Sequence, residues 1–102
     1  MIERDGDRLR VRGSITLADV TRWREEGLAL IDRDGLIVDL AGVEEADSSA
    51  LSLLLEWQRA ASARGLTLAY ENLPENMASL ADVYGILELI PVAGAAAQSR
   101  SA

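Results

Sequence analysis

The stretch Leu36-Ile37-Val38-Asp39-Leu40-Ala41-Gly42-Val43-Glu44-Glu45-Ala46-Asp47-Ser48-Ser49-Ala50-Leu51 decides how this chain folds. Its first five residues form a nearly unbroken apolar run between turn signals. Such a run predicts a central strand buried on both faces, as in a parallel or mixed sheet. Ala41–Asp47 carries three carboxylates, Glu44, Glu45 and Asp47, and is expected to be a loop. Asp47 or Ser48 can then cap a helix running from Ser48 to about Ala63, with Gly65 near its expected C-terminal stop.

Downstream, Thr67–Glu71 reads as another strand. Pro74 suits the first turn of a third helix, Glu75 favours its positive end, and Gly85 lies where it should stop. Ile86–Val92 is a short apolar closing segment, and Ala93–Ala102 reads as a flexible tail. Upstream, Ile2–Arg4 and Arg8–Arg12 flank Asp5-Gly6-Asp7, a hairpin signal. A helix is expected to begin near Thr16, because Val20, Trp23, Gly27, Leu28 and Ile31 follow helical spacing. Asp32–Gly35 is a polar turn. The order is therefore β-β-α-β-α-β-α: an α/β fold with a mixed sheet covered by helices and right-handed crossovers. We expect one domain over residues 1–92 and a tail over 93–102.

Composition narrows the function. A chain of 102 residues has room for one domain, and 49% hydrophobic residues suffice for a packed core. Aromatic residues are confined to Trp23, Trp57, Tyr70 and Tyr84, so the core must be mostly aliphatic. The net charge of −7 argues against nucleic acid and against direct docking on anionic lipid. Every basic residue is Arg. Arg8, Arg10 and Arg12 would share one strand face, diluted by Asp5 and Asp7, and read as a solvated surface. Without Cys or His, disulfides, soft-metal sites and His-based acid–base catalysis are excluded. Met1–Arg12 lacks the apolar centre of a signal peptide, and no apolar run reaches membrane-spanning length. The expected location is the cytoplasm.

The serine pair has two readings. In the first, Ser48 or Ser49 does no more than cap the helix, a role worth ~1 kcal/mol. In the second, an exposed hydroxyl there is a handle for a partner or a kinase. A phosphate would meet unsatisfied N–H groups and the positive helix end, and would add roughly −2 charge beside Glu44, Glu45 and Asp47. The following helix is unusual as well. Leu51, Leu54, Leu55 and Ala61 share a core stripe, while Ala50, Leu53, Trp57 and Ala60 widen the apolar arc to roughly 220°. Either the first or third helix covers that flank, or Leu53 and Trp57 line a partner surface beside Ser49.

The segment Val38–Leu51 resembles the signature of the STAS family, a hydrophobic-Asp-Leu stretch followed by Asp-Ser-Ser-Gly-Leu or Asp-Thr-Gly-Gly-Leu entering a Leu-rich helix. That family includes the anti-sigma factor antagonists and the cytoplasmic STAS subunit of the Mla phospholipid transporter. Leu80-Ala81-Asp82-Val83-Tyr84-Gly85-Ile86 looks like the Leu-Ala-x-hydrophobic-Tyr-x-hydrophobic ending of the Mla subunit. The resemblance extends over Ile2 to about Pro91 and departs from the pattern at Ala50, where Gly is usual. It implies partner contact through the position of Ser48 and phosphorylation at the position of Ser49.

On this basis we expect a non-catalytic adaptor that binds the cytoplasmic ATPase of a phospholipid ABC transporter through Ser48, Ser49, Leu53 and Trp57. It would be peripheral to the inner membrane through that partner. The alternative is an anti-sigma factor antagonist, partnered by an anti-sigma factor kinase and switched by phosphorylation of Ser49. Catalysis is the least supported class. Asp39, Glu44, Glu45 and Asp47 would have to gather for Mg²⁺ or acid–base work. A serine nucleophile would lack both a His and a Lys base, and no Gly-rich phosphate loop is present. No cofactor and no metal is expected.

Overall fold

The computed structural model describes residues 1–92; the expected tail, 93–102, lies outside the described residues. The elements are β1 (Ile2–Asp5), β2 (Arg8–Ile15), α1 (Val20–Leu30), β3 (Leu36–Ala46), α2 (Ser48–Ala63), β4 (Leu68–Glu71) and α3 (Glu75–Val83). A single 3₁₀ turn, Leu87–Leu89, follows. The expected order is the observed one. The sheet runs β1-β2-β3-β4, antiparallel in its first pair and parallel in the other two. Gly6, at φ 64°, turns the β1–β2 hairpin in the left-handed region that glycine adopts freely.

Side chains alternate along the strands. Leu9 and Val11 of β2, Leu36, Val38 and Leu40 of β3, and Leu68 and Tyr70 of β4 are buried. Their neighbours Arg8, Arg10, Ile37, Asp39, Ala69 and Glu71 fall on the other face and are half-buried or exposed. The helices thus cover one face only, which corrects the expectation that Leu36–Leu40 is buried on both. Asp39 explains why the run is not a fully buried strand. It accepts from the Ala41 N–H at 3.0 Å and from Asn72 Nδ2 at 2.9 Å, on a face where Arg8 pairs with Glu71.

Two further boundaries differ from expectation. Ala41–Ala46 continues β3 and is not a loop: Gly42, Val43, Glu45 and Ala46 pair with Arg12, Gly13, Ser14 and Ile15 of β2. Its side chains carry no period-2 signal because backbone pairing, interrupted by two register shifts, holds this half of the strand. A Cβ at Gly42 would meet the Val11 carbonyl oxygen at 2.7 Å, so the bulge requires glycine there. Helix α1 begins at Val20 rather than near Thr16, since β2 runs on to Ile15. Between them, Asp19 Oδ1 accepts from Thr16 N at 3.1 Å and Thr16 Oγ1 at 3.3 Å, closing a turn.

The core is aliphatic around Trp23, Trp57, Tyr70 and Met77. Each buried aromatic polar group has a partner, as burial demands. Trp23 Nε1 donates to the Ser14 carbonyl at 2.9 Å, Trp57 Nε1 to that of Arg24 at 3.2 Å, and the Tyr70 hydroxyl to that of Leu54 at 2.6 Å. Burial pushes the Tyr70 phenol far above its ordinary value, so it stays un-ionised.

Candidate functional site

The last pair of the β2–β3 ladder, Ile15 with Ala46, fixes where β3 gives way to α2. Asp47 is the N-cap of α2, with extended backbone at φ −113° and ψ −170°. Its carboxylate divides its work. Oδ1 accepts from the Ser49 N–H at 2.9 Å and from the Ser49 hydroxyl. Oδ2 accepts at 3.0 Å from the Leu17 N–H, thirty positions earlier in the β2–α1 turn. The Ser49 hydroxyl first, and then the Leu17 N–H, hold the Asp47 carboxyl below its ordinary value.

The helix end is therefore capped by Asp47, and neither serine hydroxyl is spent on that task. Ser48 is exposed and Ser49 is half-buried. Both line an open depression of about 570 Å³ together with Leu17, Ser52, Tyr84 and Ile86. Leu17 is 76% exposed and Tyr84 is 58% exposed, and Val83 beside it is 78% exposed. Three large apolar side chains are thus open to solvent in or beside this depression. The rim joins three segments: the β2–α1 turn, the start of α2 and the end of α3. Asn76 ties α3 to this corner by donating to the Ala46 carbonyl at 3.3 Å.

Leu53 and Trp57 do not belong to this surface. Each is only 1% exposed. For Trp57 the physical reason is Gly27, which lets α1 lie directly against the indole and cover that part of the wide apolar arc. The covered-flank reading of that arc is the correct one. Leu17 and Tyr84 supply the exposed apolar surface in their place. Leu17 lies in a turn without periodicity, so its sequence neighbourhood carries no signal. Tyr84 stands in the Leu80–Ile86 segment, yet nothing local to that segment relates it to Ser48. The acidic residues weighed for catalysis also stay apart. Asp39 is committed to Asn72 on the open sheet face, and no group of three or more His, Cys, Asp or Glu that could hold a metal forms among the described residues.

Comparison with known proteins agrees with this fold. Residues 1–91 match the family model described as "Mlab, STAS domain". No curated protein matches the sequence. Among solved structures, the chain is similar to one in the Acinetobacter MlaFEDB complex in an ATP-bound conformation. The TM-score is 0.78 at 26% identity, over 90% of this chain and 98% of that one. It shares its fold with the anti-sigma factor antagonist SpoIIAA in its unphosphorylated form, with a TM-score of 0.64 at 17% identity over 90% of this chain and 84% of that one. A substituted RsbS from Moorella thermoacetica has the same fold, with a TM-score of 0.65 at 24% identity over 91% and 84% of the two chains. With the family match extending over nearly the whole chain, this protein belongs to the STAS domain family.

Proposed function

We propose that the chain is a non-catalytic adaptor. Through the depression at the start of α2 it binds the cytoplasmic ATPase of a phospholipid ABC transporter and supports that machine's assembly or activity. One observation carries this reading. Two sequence segments that suggest the assignment separately, the Asp47-Ser48-Ser49 corner and the segment ending in Tyr84, line the same depression. The likeness to a chain of the MlaFEDB complex supports the choice of partner. Ser48 and Ser49 offer hydroxyls for hydrogen bonding, while Leu17 and Tyr84 offer apolar area to be buried. No helix among the described residues is long and apolar enough to cross a membrane. In this reading, contact with the bilayer runs through the partner. Co-expression with the transporter ATPase and permease tests it. A complex that survives size-exclusion chromatography, and that Leu17→Ser with Tyr84→Ser abolishes, is the expected result. Absence of a complex with the unaltered chain would sink the reading.

A second reading, an anti-sigma factor antagonist, has its own supporting observation. The half-buried Ser49 hydroxyl donates to a carboxylate that also holds the β2–α1 turn, so phosphorylation would disturb more than one residue. The shared fold with SpoIIAA and RsbS is compatible with it. Incubation with the anti-sigma kinase and ATP, followed by phosphate mapping, separates the two readings. Stoichiometric modification of Ser49 favours the second.

A further inference from the structure

We infer that the surface around the Ser48–Tyr84 depression is built for a protein partner whose apolar contact residues are ringed by Lys and Arg. The inference rests on the docking reading above and specifies the chemistry of what docks. The observation behind it is how charge is distributed over the molecule. Residues 13–21, 41–58 and 65–92 contain no basic side chain at all, and these segments supply the whole depression. They carry Glu44, Glu45, Glu75, Asp82 and Glu88, all exposed. None of these takes part in a salt bridge among the described residues.

Arginines from outside these segments answer many of the other acids. Asp5 pairs with Arg10, Asp32 with Arg4 and Arg33, Glu56 with Arg24, and Glu71 with Arg8. The two arginines that follow Ser49 along α2 and its C-cap, Arg59 and Arg64, stand at the far end, Arg59 about 15 Å along the helix from Ser49. The segments that line the depression thus hold five exposed carboxylates without an ion-pair partner among the described residues and no arginine, and Asp82 stands two positions before the exposed Tyr84. Unpaired like charges within a Debye length of ~10 Å add to one local potential. Such a field speeds encounter with a basic surface and repels an acidic one. It equally repels anionic lipid headgroups, so the apolar residues serve a protein contact and not a bilayer.

Photo-crosslinking captures the partner whatever its identity. Tyr84 is replaced by the photoreactive residue p-benzoylphenylalanine in the native host, with the same replacement at Arg10 on the open sheet face as control. Irradiated adducts are then mapped to peptides, and the captured protein is purified and titrated with the unaltered chain. We expect Tyr84-specific capture of a segment with Lys or Arg flanking apolar residues. The Kd should rise about tenfold between low salt and roughly 0.5 M NaCl. The triple variant Glu44→Gln, Glu45→Gln, Asp82→Asn should bind about fivefold more weakly at low salt and lose most of that salt dependence, with unchanged circular dichroism. Capture of a segment without basic residues, a lipid adduct, no adduct specific to position 84, or salt-independent binding each overturns the inference. A basic-ringed partner that is not a transporter ATPase upholds it and removes the proposed function, whereas ATPase capture with salt-independent binding does the reverse.

Discussion

Gly27 and Trp57 lie so close that a Cβ built on the glycine would overlap the indole at Cε2. The indole N–H meanwhile donates to the Arg24 carbonyl at 3.2 Å. The backbone of α1 is therefore touched at two successive turns by one side chain of α2. This contact buries Trp57 and covers the flank that would otherwise be free for a partner.

It also sets the sign of a substitution. In an exposed helix interior, Gly→Ala stabilises by ~1 kcal/mol because glycine is a poor helix former. Here Gly27→Ala forces the helices apart or the indole out of its rotamer, and overpacking of this kind costs about 1–3 kcal/mol. Urea unfolding should show a net loss of stability with an unchanged m-value. A gain in stability would mean that the two helices do not meet at Gly27.

Core and docking surface can be separated by four substitutions. Leu53→Ala and Trp57→Ala each remove a side chain that is 1% exposed, and should cost about 2–5 kcal/mol of stability. Leu17→Ser and Tyr84→Ser alter side chains that are 76% and 58% exposed, and should leave stability within about 0.5 kcal/mol. In a binding titration the order reverses, with the surface pair losing at least about tenfold in affinity. Stable Leu53→Ala and Trp57→Ala proteins that have lost binding would restore those two residues to the interface.

These contrasts show which parts of the molecule its sequence announces. The element order is legible because each element carries an apolar run or period over at least part of its length, with stops such as Asp5-Gly6-Asp7 at the hairpin and Gly65 after α2. The helix cap is legible because Asp47 needs only a local N–H. What escapes is whatever depends on two distant segments meeting. The second half of β3 is held by β2 through backbone bonds across register shifts, which leave no side-chain pattern. The site shows the same division: its serines stand in the motif, while Leu17 reaches them only through Asp47.

Acid should expose the part played by that aspartate. The Asp47 carboxyl is held below its ordinary value of 3.8 by the Ser49 hydroxyl and the Leu17 N–H, and Asp34 likewise by the N–H and hydroxyl of Thr67. A carboxyl depressed in the folded state contributes stability that is fully present above its unfolded pKa. That contribution is lost as pH falls through the folded value. Stability should thus be flat near neutrality and decline from about pH 5 downward. Asp47→Asn keeps an N-cap acceptor but cannot titrate, so its decline should be shallower, and Asp34→Asn should flatten it further. Urea midpoints measured from neutral pH to about pH 3 check this; parallel curves for Asp47→Asn and the unaltered chain would contradict it.

The same carboxylate links Ser49 to the β2–α1 turn. Asp47 Oδ1 takes the Ser49 hydroxyl while Oδ2 takes the Leu17 N–H, so one rigid group joins two of the three segments around the depression. Ser49→Ala removes only the hydroxyl bond. The Ser49 N–H and Leu17 N–H can still reach Asp47, and docking should weaken by less than about threefold. Ser49→Glu sets a second carboxylate against the first, as a phosphate would. Repulsion then turns Asp47 away, the Leu17 amide loses its acceptor, and the exposed leucine beside it loses its fixed position. Hydrogen exchange at the Leu17 amide should accelerate in Ser49→Glu and in Asp47→Ala but not in Ser49→Ala, and binding should fall in the same order, by about tenfold or more in the first two. If the glutamate variant lost binding while the Leu17 amide stayed as protected as before, the charge would be acting on the partner directly and Asp47 would carry no signal to the turn.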